Sequence, residues 1–444
     1  MKAKKPLSPI RMIGLGFAVI IFAGAALLML PVSVKEGAIS FIDALFTAAS
    51  ATCVTGLVIY DTYSKFTLFG QGVILTLIQV GGLGFITITV MFAAAMGKKI
   101  GLRDRAYLAE AVSSGQIGGV TRYAGMILKG TALIEGVGAL LLAARFIPRF
   151  GVAEGIWCGV FHSVSAFCNA GFDILGRIEP SSSLTHFQND PYVLLIISAL
   201  VIIGGIGFFV WDDIRQNGFK WKSWRLHTKL MITATAALLI IPAVIFLITE
   251  WNGQYAHMAV HDKILNAFFQ SVTTRTAGFN STDYTKYSPA GYALTVFLMI
   301  IGAGAGSTGG GIKVTTFLIV ALSVRAAALG LEDINVYGRR IDRETVSKAY
   351  TGMSLFAAVM LIGAFVLMLF DGIEMQTALF EAASAMGTVG LSSGVTSSLG
   401  IISKIAVILM MYSGRVGSMS LAMSVVKKSK MSKIKYPEEK VVAG

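Results

Sequence analysis

Charge is scarce in this sequence. Asp, Glu, Lys and Arg together make up 14% of the 444 residues, whereas soluble domains carry about 25%. No polar stretch long enough for a soluble domain is left over. Histidine is scarce as well, with five scattered residues. There is no H-E-x-x-H, and no G-x-S-x-G with partners, so neither zinc-protease nor serine-hydrolase chemistry is indicated, and an enzyme is not expected. Cysteine is limited to Cys53, Cys158 and Cys168. An odd set without metal-like spacing argues against a disulfide framework, and the three read as buried free thiols.

What is present is apolar. Hydrophobic residues make up 55% of the chain. A membrane span needs about 20 mostly apolar residues, and eight such segments can be laid down. The run Ile13–Leu30 follows a basic start but is long for a signal peptide. Pro31-Val32-Ser33-Val34 is no small-residue cleavage site, so the run reads as a retained first helix. The formal net charge of +13 is unevenly spread. Four basic residues lie in 1–11, six in 97–129, five in 215–229, six in 313–348 and seven in 415–440. These segments fall on alternate sides of the spans. The positive-inside rule places all of them, and both termini, in the cytoplasm. Contact with anionic lipid accounts for most of this charge without nucleic acid.

A fourfold internal repeat organises the chain. Four segments align without gaps: 46–57 around Gly56, 161–172 around Gly171, 268–279 around Gly278 and 380–391 around Gly390. Each has Phe ten residues before the glycine (Phe46, Phe161, Phe268, Phe380) and Leu or Phe after it. Ser50, Ser165 and Ser384 stand six before the glycine, with Val272 the exception. Each anchor lies between two apolar stretches: 10–30 and 66–96, 122–147 and 191–211, 229–249 and 290–328, 349–370 and 401–426. The run before each glycine is about 10–12 residues, too short to span, and reads as a re-entrant half-helix. The expected fold is an all-α polytopic membrane protein of four fused repeats. Each is an outer helix, a half-helix, a filter loop and an inner helix, giving eight transmembrane helices around one pore. The repeats occupy 1–97, 98–217, 218–330 and 331–444.

Irregular backbone at membrane depth is tolerated only where it is buried in protein or lines a water-filled cavity. A filter replaces an ion's water with backbone carbonyls, and glycine accepts the positive φ that aims them. The C-terminal end of each half-helix adds partial negative charge. No carboxylate lies in the loops; Asp61 and Asp173 lie just outside. The simpler reading of the glycines, helix packing, does not explain the fixed Phe spacing.

This pattern resembles the Trk/Ktr/HKT superfamily of K⁺ transporters, and within it the membrane subunits of bacterial Ktr systems (the KtrB and KtrD branch), over nearly the whole chain. The resemblance implies a K⁺ filter formed by Val54, Thr55, Gly56, Asn169, Ala170, Gly171, Thr276, Ala277, Gly278, Thr388, Val389 and Gly390, with K⁺ held at their carbonyls. Na⁺-selective plant relatives carry serine at the first glycine; Gly56 here implies K⁺. The resemblance also implies a homodimer and a cytosolic ring of KtrA-type RCK proteins that binds ATP or ADP. K⁺ is then the permeant ion and Na⁺ an activator. The chain itself has no nucleotide-binding domain.

Past the third anchor comes a second cluster: Gly302, Gly304, Gly306, Ser307, Thr308, Gly309, Gly310, Gly311 and Lys313. It fails as a phosphate-binding loop, because Ile312 separates Gly311 from Lys313. Each glycine costs about 1 kcal/mol in a helix relative to Ala, so a flexible break in the third inner helix is expected. The resemblance makes this break an intramembrane gate with Arg415 as its partner. Shorter clusters stand at matching depth: Gly81-Gly82-Leu83-Gly84, Gly204-Gly205-Ile206-Gly207 and Gly414-Arg415-Val416-Gly417. Arg275 is expected to pair with a nearby acid, and Glu135 is a second buried charge with no partner nameable from sequence. The competing function is a Na⁺- or H⁺-coupled symporter of K⁺ or another small solute. Inverted repeats would favour it, but these repeats run in one sense.

Overall fold

The computed structural model describes residues 9–84 and 120–417. The basic segment around Lys98 and the tail from 427 lie outside them.

The described chain is helical, with a single two-stranded hairpin. Four helices are long and apolar enough to cross a membrane: α1 (Pro9–Leu28), α4 (Val120–Phe150), α8 (Leu226–Glu250) and α12 (Arg343–Asp371). Each is followed by a short helix: α2 (Phe41–Thr52), α5 (Val152–Phe167), α9 (Val260–Thr273) and α13 (Met375–Gly387). A third set comes after the loops: α3 (Leu68–Leu83), α6 (Pro191–Gly205) with α7 (Phe208–Asn217), α10 (Pro289–Ile300) with α11 (Val314–Ala328), and α14 (Ile401–Val416). Between α11 and α12, β1 (Asn335–Val336) pairs antiparallel with β2 (Arg339–Arg340). Tyr337 and Gly338 turn it with φ of 51° and 71°, the backbone a two-residue hairpin demands.

Local chemistry sets the helix starts. Ser40 and Asp342 cap α2 and α12, accepting from the amides of Asp43 and Thr345 at 3.1 and 2.8 Å. Pro191 opens α6 behind the Asp190 cap, where a missing N–H is not felt. Close packing relies on small residues. A Cβ at Gly159 of α5 would sit 2.7 Å from the Ala139 carbonyl of α4, and one at Gly155 would sit 2.6 Å from Ile147 Cα. This is the small-xxx-small contact, found in the outer layer. The ends of the chain are joined by Lys404 of α14, which donates to Asp43 at the start of α2 at 2.7 Å.

The apolar stretches 66–96, 191–211 and 401–426 are helical up to their glycine clusters; 85–96 and 418–426 lie outside the described residues. α6 ends at Gly205 and the chain turns by 87° into α7. α3 and α14 end at Gly84 and Gly417, with φ of 82° and 93°, and Gly207 has φ of 98°. Each glycine cluster therefore finishes on left-handed backbone that stops the helix. The other glycines of the clusters serve close approach. A Cβ at Gly81, Gly204 or Gly414 would overlap the carbonyl of Thr52, Phe167 or Met386. In three places a helix of the third set thus lies backbone to backbone against the C-terminal end of a short helix.

Candidate functional site

The loops after the four short helices share one backbone. The residue two before each glycine is left-handed: Val54, Asn169, Thr276 and Thr388, with φ of 57°, 59°, 61° and 52°. The glycines follow with φ of 92° at Gly56, 68° at Gly171, 78° at Gly278 and 92° at Gly390. Left-handed backbone on either side of a normal residue turns successive carbonyls toward one side, which an extended strand does not do. For a β-branched residue this conformation is a genuine outlier, costing about 1–2 kcal/mol. Hydroxyl groups at the ends of the short helices hold it. Ser50 and Ser384 accept from the amides of Gly56 and Gly390, both at 3.1 Å. Ser165 and Thr273 donate to the carbonyls of Phe172 and Phe279, both at 2.7 Å.

The third loop corrects the gap-free alignment. Phe46, Phe161 and Phe380 are fully buried, but in the third segment the buried ring is Phe269, with Phe268 only partly covered. Thr273, not Val272, makes the hydroxyl contact. The short helix is one residue out of register, and the turn between Thr273 and Gly278 is one residue shorter than its three counterparts. Sequence spacing cannot show this, because a one-residue deletion in the turn leaves both the helix and the glycine intact.

The four loops meet in a closed ring, in chain order. A Cβ at Gly56 would stand 2.5 Å from the Ala170 carbonyl and 3.1 Å from Gly171 Cα. One at Gly171 would stand 2.8 Å from Gly278 Cα, and one at Gly278 would stand 2.5 Å from the Val389 carbonyl. One at Gly390 would stand 3.0 Å from Gly56 Cα and overlap the Thr55 carbonyl. No side chain fits at these positions, so the ring is lined by backbone. Buried acids sit outside it and brace it. Glu381 accepts from the Ser393 amide at 3.0 Å and from the hydroxyls of Ser392 and Thr396 at 2.5 and 2.9 Å. Sequence inspection of the loops alone overlooks Glu381, which lies in α13. Its spacing before the serine-rich run 392–398 is the available signal.

Beneath the ring, residues 302–313 cross under three of the four loops. The Thr308 hydroxyl donates to the Phe167 carbonyl and the Asn169 side-chain oxygen, both at 3.1 Å. The Gly310 amide donates to the Thr388 hydroxyl at 3.1 Å. A Cβ at Gly309 would overlap the Thr276 hydroxyl. Lys313 Nζ donates to the Gly309 carbonyl at 2.7 Å, and Ser307 to the Gly304 carbonyl at 2.6 Å. Gly302 bonds Ile312 at 2.8 Å, Gly304 bonds Gly205 at 2.9 Å, and the Gly306 carbonyl accepts from Phe208 at 2.8 Å. The break in the helix is as the glycines predict, but the segment is tethered rather than loose. Arg415 supplies the link to the first quarter of the chain: it donates to the carbonyls of Thr308 and Gly81, and to that of Gly82 at 3.1 Å.

Of the two buried charges singled out in the sequence, Arg275 departs from expectation and Glu135 gains named partners. Arg275 meets no acid among the described residues; its guanidinium donates to Thr235 at 3.4 Å, and its Nε is buried without a partner. Glu135 does have partners, accepting from Gln79 at 3.2 Å with the Cys168 thiol at 3.8 Å. Cys53, Cys158 and Cys168 are all buried free thiols.

A family model described as TrkH, cation transport protein, matches residues 16–435. The potassium/sodium uptake protein NtpJ of Enterococcus hirae is 42% identical over 451 residues, covering 100% of this chain and 99% of that protein. Ktr system potassium uptake protein B of Bacillus subtilis is 40% identical over 439 residues, covering 98% of this chain and 97% of its own. Among solved structures, the potassium transporter TrkH from Vibrio parahaemolyticus superposes with a TM-score of 0.77 at 19% identity, covering 96% of this chain and 86% of that chain. At that identity the likeness shows the fold.

Proposed function

The chain belongs to the TrkH family of cation transport proteins, and from that premise we propose that it passes K⁺ across the cell membrane through the ring of Gly56, Gly171, Gly278 and Gly390. The observation that carries this reading is the closed ring itself: four loops, each with left-handed backbone two residues before its glycine, and no room for a side chain at the glycines. A ring lined by carbonyls suits an alkali cation that sheds its water. The two curated relatives are named for potassium uptake, which favours K⁺.

In this reading the architecture is four repeats with eight spans, the third set of helices lining the pore. Residues 302–313 form the gate, closed by Arg415. Both termini are cytoplasmic, following the Lys/Arg asymmetry. The chain works as a homodimer, and a cytosolic nucleotide-binding ring moves the gate; the Ktr system name of one relative supports a separate partner subunit. A second reading, Na⁺-coupled uptake, is favoured by one observation: NtpJ is named for both potassium and sodium.

The test is ion uptake into liposomes holding the purified chain. K⁺ uptake in the absence of Na⁺, with little Na⁺ uptake in the absence of K⁺, supports the pore. Na⁺ uptake in fixed ratio to K⁺ uptake supports the symporter, whereas K⁺ uptake that Na⁺ stimulates without itself entering supports the pore.

A further inference from the structure

Outside the ring, α4 carries one ridge of exposed side chains that no other described element covers. Leu133, Val137 and Leu141 are spaced by four residues and are 68%, 48% and 42% exposed. The same row continues into Arg145 and Arg149, both exposed. Four-residue spacing places these side chains on one ridge that winds by about 40° per step around the helix. From Leu133 to Arg145 the rise is about 18 Å at 1.5 Å per residue, close to half of a hydrocarbon core of about 30 Å. The stripe is therefore apolar over one leaflet and cationic where that leaflet ends.

At its cationic end, Arg145 and Arg149 open into a cavity of about 540 Å³, shared with the segment before α6. The two arginines differ. Arg145 is committed to Asp190 at 2.7 Å. Arg149 lies over the Phe187 ring at 4.6 Å and has no carboxylate partner among the described residues. A guanidinium stacked on a ring keeps its in-plane donors free, in the fork that suits a phosphate. We infer that α4 and the Arg145–Arg149 cavity form a binding site for one anionic phospholipid, its acyl chain along Leu133, Val137 and Leu141 and its phosphodiester on Arg149. Cation and apolar side chains on one continuous ridge select a lipid over a soluble anion, because neither part alone holds a headgroup firmly at an exposed site.

Native mass spectrometry of the full chain in neutral detergent tests this, with phosphatidylglycerol and phosphatidylcholine of equal chain length as probes. Phosphatidylglycerol should be retained about tenfold better than phosphatidylcholine, a difference of about 1.4 kcal/mol. Arg149→Gln should abolish most of that preference, and Arg149→Lys should keep part of it. Asp190→Asn still caps α6 but releases Arg145, and should raise phosphatidylglycerol retention, a gain that misfolding cannot imitate. Equal retention of the two lipids, or an unchanged preference in Arg149→Gln, overturns the proposal. So does displacement of phosphatidylglycerol by millimolar inorganic phosphate, which would mark a site for free anions.

Discussion

Arg415 donates to the main-chain carbonyl of Thr308, and its second guanidinium nitrogen reaches the carbonyls of Gly81 and Gly82. One side chain at the end of α14 thereby fixes the segment beneath the ring to the end of α3. A buried cation is costly unless its hydrogen bonds are met, and here carbonyls meet them. If the segment obstructs the pore, this contact is the latch.

Arg415→Ala should raise K⁺ flux in the absence of any cytosolic partner by about threefold to tenfold, equivalent to roughly 1 kcal/mol off the barrier. Arg415→Lys cannot span both carbonyl groups with one ammonium and should fall between. The measurement is partner-free K⁺ uptake in a host lacking its own K⁺ transport, at matched membrane levels. Deleting residues from 305–309 is a less clean test, because Thr308 touches Asn169 and Gly310 touches Thr388, so the ring would be disturbed as well. Unchanged flux in Arg415→Ala would make the contact structural.

Glu381 bears on stability. Its carboxylate collects the Ser393 amide and the Ser392 and Thr396 hydroxyls, holding the chain that leaves Gly390. Glu381→Ala strands those donors, and losing bonds to a charged group costs about 1.5–3 kcal/mol each. The thermal midpoint in detergent should fall by several degrees, and the K⁺:Na⁺ flux ratio should fall with it. An unchanged midpoint would show that the Ser392–Thr396 segment is held by other contacts.

The outer mouth should respond to pH. Burial pushes the Asp173 carboxyl up to about 7, with the neighbouring Asp61 adding to the rise against the opposing bonds from the Leu175 amide and Ser183. Raised in this way, Asp173 is charged above about pH 7 and neutral below it. A negative charge beside a cation pathway raises local cation concentration. K⁺ flux should therefore drop by roughly twofold between pH 8 and pH 6, and Asp173→Asn should flatten the profile at the lower level. A wild-type profile flat across that range contradicts this role.

Much of this was legible in the sequence where the determinants are local. The glycines, the short apolar runs before them and the cluster at 302–311 follow from spacing and composition, and the structure puts all of them at one place. The one-residue deletion between Thr273 and Gly278 was not legible, because Phe268 and Phe269 offer the same residue type to an alignment. The left-handed backbone at Val54, Thr276 and Thr388 runs against their propensity, and side-chain bonds from Ser50, Thr273 and Ser384 six residues along the same segment hold it. The tethering of residues 302–313 was not legible for a related reason. Glycine weakens a helix, but it also exposes backbone groups, and here those groups are bonded to α6, Phe208 and Arg415. Arg415 lies far from Gly81 in sequence, so its carbonyl partners could not be named without the fold.

Selection of K⁺ by the four-glycine ring is directly measurable. Gly56 is its sharpest test, since its φ of 92° disfavours any side chain and a Cβ would stand 2.5 Å from the Ala170 carbonyl. The measurement is the ratio of K⁺ to Na⁺ flux into liposomes, compared between the wild-type chain and Gly56→Ser at equal reconstituted amounts. The account predicts a high ratio for the wild type and a fall of about tenfold or more in the variant, the effect of about 1.4 kcal/mol of lost discrimination. A Gly56→Ser protein that folds, conducts and keeps the wild-type ratio would place the selecting element elsewhere.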